Sequence, residues 1–233
     1  MKVRIKFSKQ GIMKFIGHLD IMRYFQKAMR RAQVKICYSG GFSPHQIMSF
    51  AAPLGVGITS NGEYLDIETE DNEDLSTMKE RLNRTMAEGI VIESVRRLPE
   101  DAKNAMSIVA AADYTLSFRP GYEPKQPESW MKAAENFGRQ EHLYITKKTK
   151  KGEKELDLAS MIYEIQAHGP ELKLRLSTGS GENIKPELFL DSFYASLGQE
   201  RHPFAFLIQR EEVYARRENT GEFISLEALG EPV

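Results

Sequence analysis

The stretch MKVRIKFSKQGIMKFIGHLDIMRYFQKAMRRAQ, Met1 to Gln33, changes its period once, and that change decides the fold. Lys2–Ser8 alternates, with Val3, Ile5 and Phe7 to one side and Lys2, Arg4 and Lys6 to the other, the pattern of a half-buried strand. Over residues 19–33 the apolar residues Ile21, Met22, Phe25, Ala28, Met29 and Ala32 recur at helical spacing and form one stripe. Arg23, Lys27, Arg30 and Arg31 recur at the same spacing on the opposite side. A strand therefore feeds an amphipathic helix whose exposed face is almost uniformly cationic.

Outward from this pair, Val34–Tyr38 is strand-like, a glycine-rich segment follows, and Glu63–Glu68 alternates again. Asn72–Glu88 reads as a second helix, with Leu75, Met78, Leu82 and Met86 inward, acids in the first turn and Gly89 as its stop. Ile90–Leu98 closes the set. The order β-α-β-β-α-β is that of a ferredoxin-like sandwich. After the polar stretch Pro99–Asn104, the order recurs with one extra strand. Tyr114–Phe118 is a strand, Glu128–Phe137 a helix, and Leu143–Lys148 and Glu155–Glu164 flank the lysine-rich turn TKKTKKGEK. Leu172–Leu176, a helix over Pro186–Leu197 opened by its proline, and Phe204–Tyr214 complete it. The expected fold is α+β: two tandem ferredoxin-like (βαββαβ) units with antiparallel sheets over residues 1–100 and 108–217, and a loosely ordered tail over 218–233.

The chain has 233 residues, enough for two units of domain size, and 41% hydrophobic residues, enough for a core. No apolar run approaches the roughly 20 residues that span a bilayer. MKVRIKFSK carries charges where an export signal needs apolar residues, so the expected location is cytoplasmic. Cys37 is the single cysteine, which excludes an internal disulfide and any cluster or zinc site built on several thiolates. In an apolar strand with Val34 and Ile36 it is expected to behave as a small buried hydrophobe. No metal site and no cofactor is expected, and GxxxxGK[ST], GxGxxG and HExxH are all missing. The near-neutral net charge of −1 hides an asymmetry: residues 1–50 carry a net +9 and residues 51–102 a net −7. Either the basic block faces a polyanion or the two blocks neutralise each other within one domain.

YSGGFSPHQIMSFAAPLGVG, Tyr38–Gly57, supplies the candidate site. Gly40 and Gly41 permit conformations barred to other residues, and glycine-rich backbone can present amides to phosphate oxygens. Tyr38 and Phe42 stack on bases in one reading, and plug the core together with Phe50 in the other. The RNA-binding set is thus Arg23, Lys27, Arg30, Arg31, Tyr38, Gly40, Gly41, Phe42 and His45. His18 and His45 form a second, catalytic candidate, a base and acid for metal-free RNA cleavage. Asp20 suits the positive end of the helix. The lysine-rich turn is a solvated hairpin tip or a further phosphate clamp.

FIGHLDIMRYFQKAMRRA followed by YSGGFSPHQIMSFAAPLGVGITSNGEYLDIE resembles the bacterial radical SAM-linked protein family. Fainter similarity runs through GEKELDLASMI and ENIKPELFLDSF. The matching positions are His18, Asp20, Arg30, Arg31, Tyr38, Phe42, Pro44, His45 and Glu63. Members stand alone or follow a radical SAM domain, so the resemblance implies a radical SAM enzyme as partner and carries no catalytic residues over. A radical SAM domain holds its cluster with three closely spaced cysteines, which Cys37 alone cannot replace. Tandem ferredoxin-like units are also similar to the repeat-processing endoribonucleases of CRISPR systems, at the level of fold. The expected function is an RNA-binding accessory protein that partners a radical SAM enzyme in tRNA or rRNA modification, more a binding partner than an enzyme. The alternatives are a metal-independent endoribonuclease and a protein-interaction scaffold.

Overall fold

The computed structural model describes residues 1–70, 73–149, 152–179 and 181–232. The fold is α+β, and every strand pairing described below is antiparallel. The chain divides into two compact units, Met1–Ala110 together with Glu212–Val233, and Ala111–Glu211.

In the first unit, β1 (Lys2–Lys9) leads through a 3-10 turn (Gly11–Phe15) into α1 (His18–Arg31). β2 (Met48–Phe50), β3 (Thr59–Glu68), α2 (Leu75–Thr85), β4 (Ile90–Arg97) and the single turn α3 (Ala105–Ile108) follow. β1 lies between β3 and β4, with Ile5 opposite both Leu65 and Val95. β2 pairs with β3, Met48 opposite Ile67. The period-two pattern works as read. Val3, Ile5 and Phe7 join Phe25 and Met29 of α1 and Met78 and Leu82 of α2 in one core. Each such fully buried side chain contributes about 1.5–3 kcal/mol.

The polar side of β1 is covered rather than solvated. The Arg4 guanidinium is buried and donates to both carboxylate oxygens of Asp66 (2.7 and 2.9 Å) and to the Leu226 carbonyl (3.1 Å). Lys6 meets Glu212 (2.8 Å) and Glu227 (3.2 Å), Arg96 meets Glu227, and the Tyr64 hydroxyl donates to Glu212 (2.6 Å). Residues 218–233, expected as a loose tail, thus belong to this unit. β11 (Phe223–Ser225) pairs with the end of β10 (Phe206–Arg216), and Leu226 is wholly buried.

The second unit contains β5 (Val109–Phe118, its first two residues in the first unit), α4 (Pro127–Gly138), β6 (Tyr144–Thr149), β7 (Gly152–Asp157), β8 (Ile162–His168), β9 (Glu171–Ser177), α5 (Pro186–Ser196) and the start of β10. β9 pairs with β5 on one side and β8 on the other, Leu174 standing opposite Tyr114 and Ile165, and β10 neighbours β5. The core is aromatic: Trp130 packs edge-on to Phe118 and Phe193 with centroids 5.0 and 4.9 Å away. Gly138 lets α4 approach β8 and α5, since a Cβ there would collide with Ile165 and Phe189.

Four expectations change in detail. The first unit runs on to Ala110 rather than residue 100, with the Ala105 amide of α3 donating to Asp66, and the second covers Ala111–Glu211 rather than 108–217. Val34–Tyr38 forms only isolated bridges, Ile36 to Thr69 and Tyr38 to Gln46, and Cys37 there is half-buried. α2 is shorter than Asn72–Glu88: Asp74 caps it by accepting from the Thr77 amide (3.0 Å), and Asn72 lies outside the described residues. The expected strand Glu155–Glu164 breaks into β7 and β8, because the Asp157 carboxylate binds the amides of Leu143 and Ala159 and turns the chain into a 3-10 turn. Lys150 and Lys151 of the lysine-rich turn lie outside the described residues. Among the described residues no helix is long and apolar enough to cross a membrane.

Candidate nucleic-acid interface

α1 is anchored by Ile21, Phe25, Ala28 and Met29, so the helical period turns Arg23, Lys27, Arg30 and Arg31 outward, and all four are exposed. They differ in how far they are committed. Arg23 reaches Asp20 at 3.5 Å, a solvated pair of little energetic weight. Arg31 leans over the Tyr24 ring at 6.0 Å and donates to the Thr85 carbonyl. Lys27 and Arg30 make no ion pair among the described residues. The basic block is therefore split: Arg4, Lys6 and Lys9 are spent internally, and the α1 row remains for solvent.

The glycine-rich segment meets the helix through Gln46, whose Nε2 donates to the Gln26 carbonyl (3.4 Å) and to the Tyr38 hydroxyl (3.5 Å). Its turn is closed by Ser39 and His45. The Ser39 amide donates to the His45 carbonyl (2.8 Å), the His45 amide donates to Ser39 Oγ (3.1 Å), and that Oγ lies 2.8 Å from His45 Nδ1. Gly41 sits at φ +97°, which favours glycine, at the tip. The amides of Gly40, Gly41, Phe42 and Ser43 donate to no group among the described residues. Tyr38 is exposed and Phe42 fully so, whereas Phe50 is buried against Phe7 and Phe25. The two readings of the aromatics divide accordingly: Phe50 is core, and Phe42 and Tyr38 are surface.

His18 and His45 are not gathered into one site. His18 opens α1, packs edge-on to Phe50 (5.5 Å), and lines a small cavity with Lys9, Glu63 and the Ala52–Leu54 backbone stretch. His45 lines a different cavity with Lys2, Ser49 and Asn104. Lys9 and Glu63 are both buried charges that periodicity did not single out, since they fall at the ends of alternating runs. In the second unit, His142 Nδ1 lies 2.9 Å from Asp157 Oδ2, and this ring holds the Asp157 carboxyl below its ordinary value. Among the described residues no three His, Cys, Asp or Glu side chains converge as a metal site.

No curated protein matches the chain. Among solved structures, "Crystal Structure of a Cbf5-Nop10-Gar1 Complex" is similar at 10% identity and a TM-score of 0.46, over 91% of this chain and 48% of that one. The chain thus spans about half the length of that protein. Residues 2–186 match the family described as "Uncharacterized protein conserved in bacteria (DUF2344)". That span covers both α1 and the glycine-rich segment, and the chain belongs to this family.

Proposed function

We propose that the chain is an RNA-binding protein whose contact surface is the exposed row Arg23, Lys27 and Arg30 of α1 with the turn Tyr38–His45 beside it. The observation that carries this reading is the row itself: three outward cations, two of them without an ion pair among the described residues, next to backbone amides that donate to no group among those residues and two exposed aromatic rings. Cations and amides take phosphates, and rings take unstacked bases. The reading extends to the architecture: we take both units as ferredoxin-like. In support, each runs β-α-β-β-α-β apart from the β6–β7 hairpin, and each places its first strand between its third and fourth. Partnership with a radical SAM enzyme in tRNA or rRNA modification rests on the sequence resemblance, and co-purification from the native cell tests it.

The experiment is a salt titration of RNA affinity. Three phosphate contacts give a log–log slope of about −2 for single strands. Reversing Arg23, Lys27 and Arg30 to Glu is expected to abolish most affinity with the unfolding transition unchanged, since none of the three is in the core. If the triple variant retains RNA like the parent at about 0.15 M salt, the α1 face is not the nucleic-acid surface.

A further inference from the structure

The cavity beside His45 lies wholly within the first unit and encloses about 430 Å³, inside the range of about 300–1,000 Å³ typical of small-ligand sites. Its walls are of two kinds. Its apolar lining is the half-buried Ile47 and Met48 with the buried Ile67 and Leu98, and its polar lining includes Ser39, His45, Ser49, Asn104 and Lys103. Of the carboxylates that line it, Asp66 is taken up by Arg4 and the Ala105 amide, while Glu68 is half-buried on the wall. Lys2 Nζ is committed to the carbonyls of Glu100 and Ala102. Lys103 is different: its one ion pair among the described residues, to Glu218 at 2.7 Å, is exposed on both sides and easily exchanged for a phosphate. The same turn that carries Phe42 and Tyr38 forms one side of the cavity through Ser39 and His45.

We infer that this cavity receives one unstacked nucleotide of the bound RNA, its base against Ile47 and Met48 and its phosphate at Lys103. The proposal deepens the RNA-binding reading and rests on it. Base edges would be read by Asn104 Nδ2, its Oδ1 already accepting from Ser49 Oγ and the Met106 amide, and by the Glu68 carboxylate. A carboxylate accepts from an exocyclic amino group, which adenine, cytosine and guanine carry; uracil lacks it and offers only its ring N3–H, so it fits the wall less well. Extrusion of a single base onto an apolar or aromatic surface is the usual route to sequence preference in single-stranded RNA.

The test uses the full chain with methyl-labelled methionine, the Met48 signal being assigned by Met48→Leu. Titration with AMP, CMP, GMP and UMP is expected to give a saturable Met48 shift for the first three and a weaker one for UMP. Filling the cavity with Ser49→Phe should lower single-stranded RNA affinity roughly tenfold and flatten the salt slope by no more than the one contact at Lys103, about 0.7. The α1 reversal should instead flatten that slope by about 2. If RNA is bound but Met48 never responds to any nucleotide, the cavity proposal is wrong and the α1 reading stands. If nucleotides saturate the Met48 shift while RNA of any length fails to bind, the cavity is a free-nucleotide site, and both the proposal and the RNA-binding reading are overturned. Because the Met48 titration is done on the unaltered protein, misfolding of Ser49→Phe leaves the proposal testable.

Discussion

Asp66→Ala is the most informative single change in the first unit. It strips the buried Arg4 guanidinium of a two-pronged partner at 2.7 and 2.9 Å and leaves the Ala105 amide without its acceptor at 2.8 Å. Arg4 keeps one carbonyl bond, to Leu226. An uncompensated buried charge costs about 3–5 kcal/mol, far more than the net worth of the pair. For a chain of this size each kcal/mol moves the unfolding midpoint by about 2–4 °C, so a drop of about 6–20 °C is expected. The double replacement Arg4→Met with Asp66→Leu removes both charges and retains the volume, and should recover most of that loss. Thermal unfolding followed by circular dichroism, with urea titration at 25 °C, measures all three proteins. A loss below about 1 kcal/mol for Asp66→Ala, or a double variant as unstable as the single, would refute the argument that charge burial sets the cost.

Ending the chain after Arg217 should destabilise the first unit by at least 6 °C by the same conversion, because it removes buried Leu226 and the Glu227 partner of Lys6 and Arg96; an unchanged midpoint would return residues 218–233 to the status of a tail. Phe42→Ala should weaken single-stranded RNA binding about tenfold with the salt slope intact, as expected for a lost stacking platform. Glu135 of α4 is buried, and its hydrogen bond from Lys132, helped by the Ala167 amide and Arg139, holds its carboxyl below the ordinary 4.5 against the opposing effect of burial. A depressed folded-state value gives stability that is full above 4.5 and is lost as pH falls through the lower folded value. Urea midpoints of the parent and Glu135→Gln should therefore differ at pH 6, the difference shrinking as the pH falls below 4.5.

Elements that announce themselves by period were legible. β1 and α1 appear where alternation and the helical stripe place them, and the outward direction of Arg23, Lys27 and Arg30 follows from the stripe alone. The charge asymmetry was legible as a sum but not in its use. Arg4 and Lys6 belong to the same basic block as α1, and only their carboxylate partners, 62 and more residues away, show that they face inward. β11 is three residues long and is fixed by a strand partner and by the distant Arg4, so no local pattern reveals it. Phe42 and Phe50 share one segment and one side-chain type, and only the tertiary structure separates a core ring from a surface ring. The His45 cavity draws on Ser49, Glu68 and Asn104 from three separate segments, which no motif could have joined.

The first unit is assembled from two pieces of chain with the whole of the second unit, Ala111–Glu211, between them. On the ribosome this is a matter of waiting. At about 5–20 residues per second, the roughly hundred intervening residues take on the order of 5–20 s to synthesise. During that interval Arg4 has Asp66 but not Leu226, and Lys6 has neither Glu212 nor Glu227. The nascent protein thus exposes a cationic strand face that the finished one conceals, beside a ribosomal surface rich in phosphate. Chain order therefore makes the transient charge of this protein more positive than its mature charge, and the C-terminal residues are what switch that attraction off.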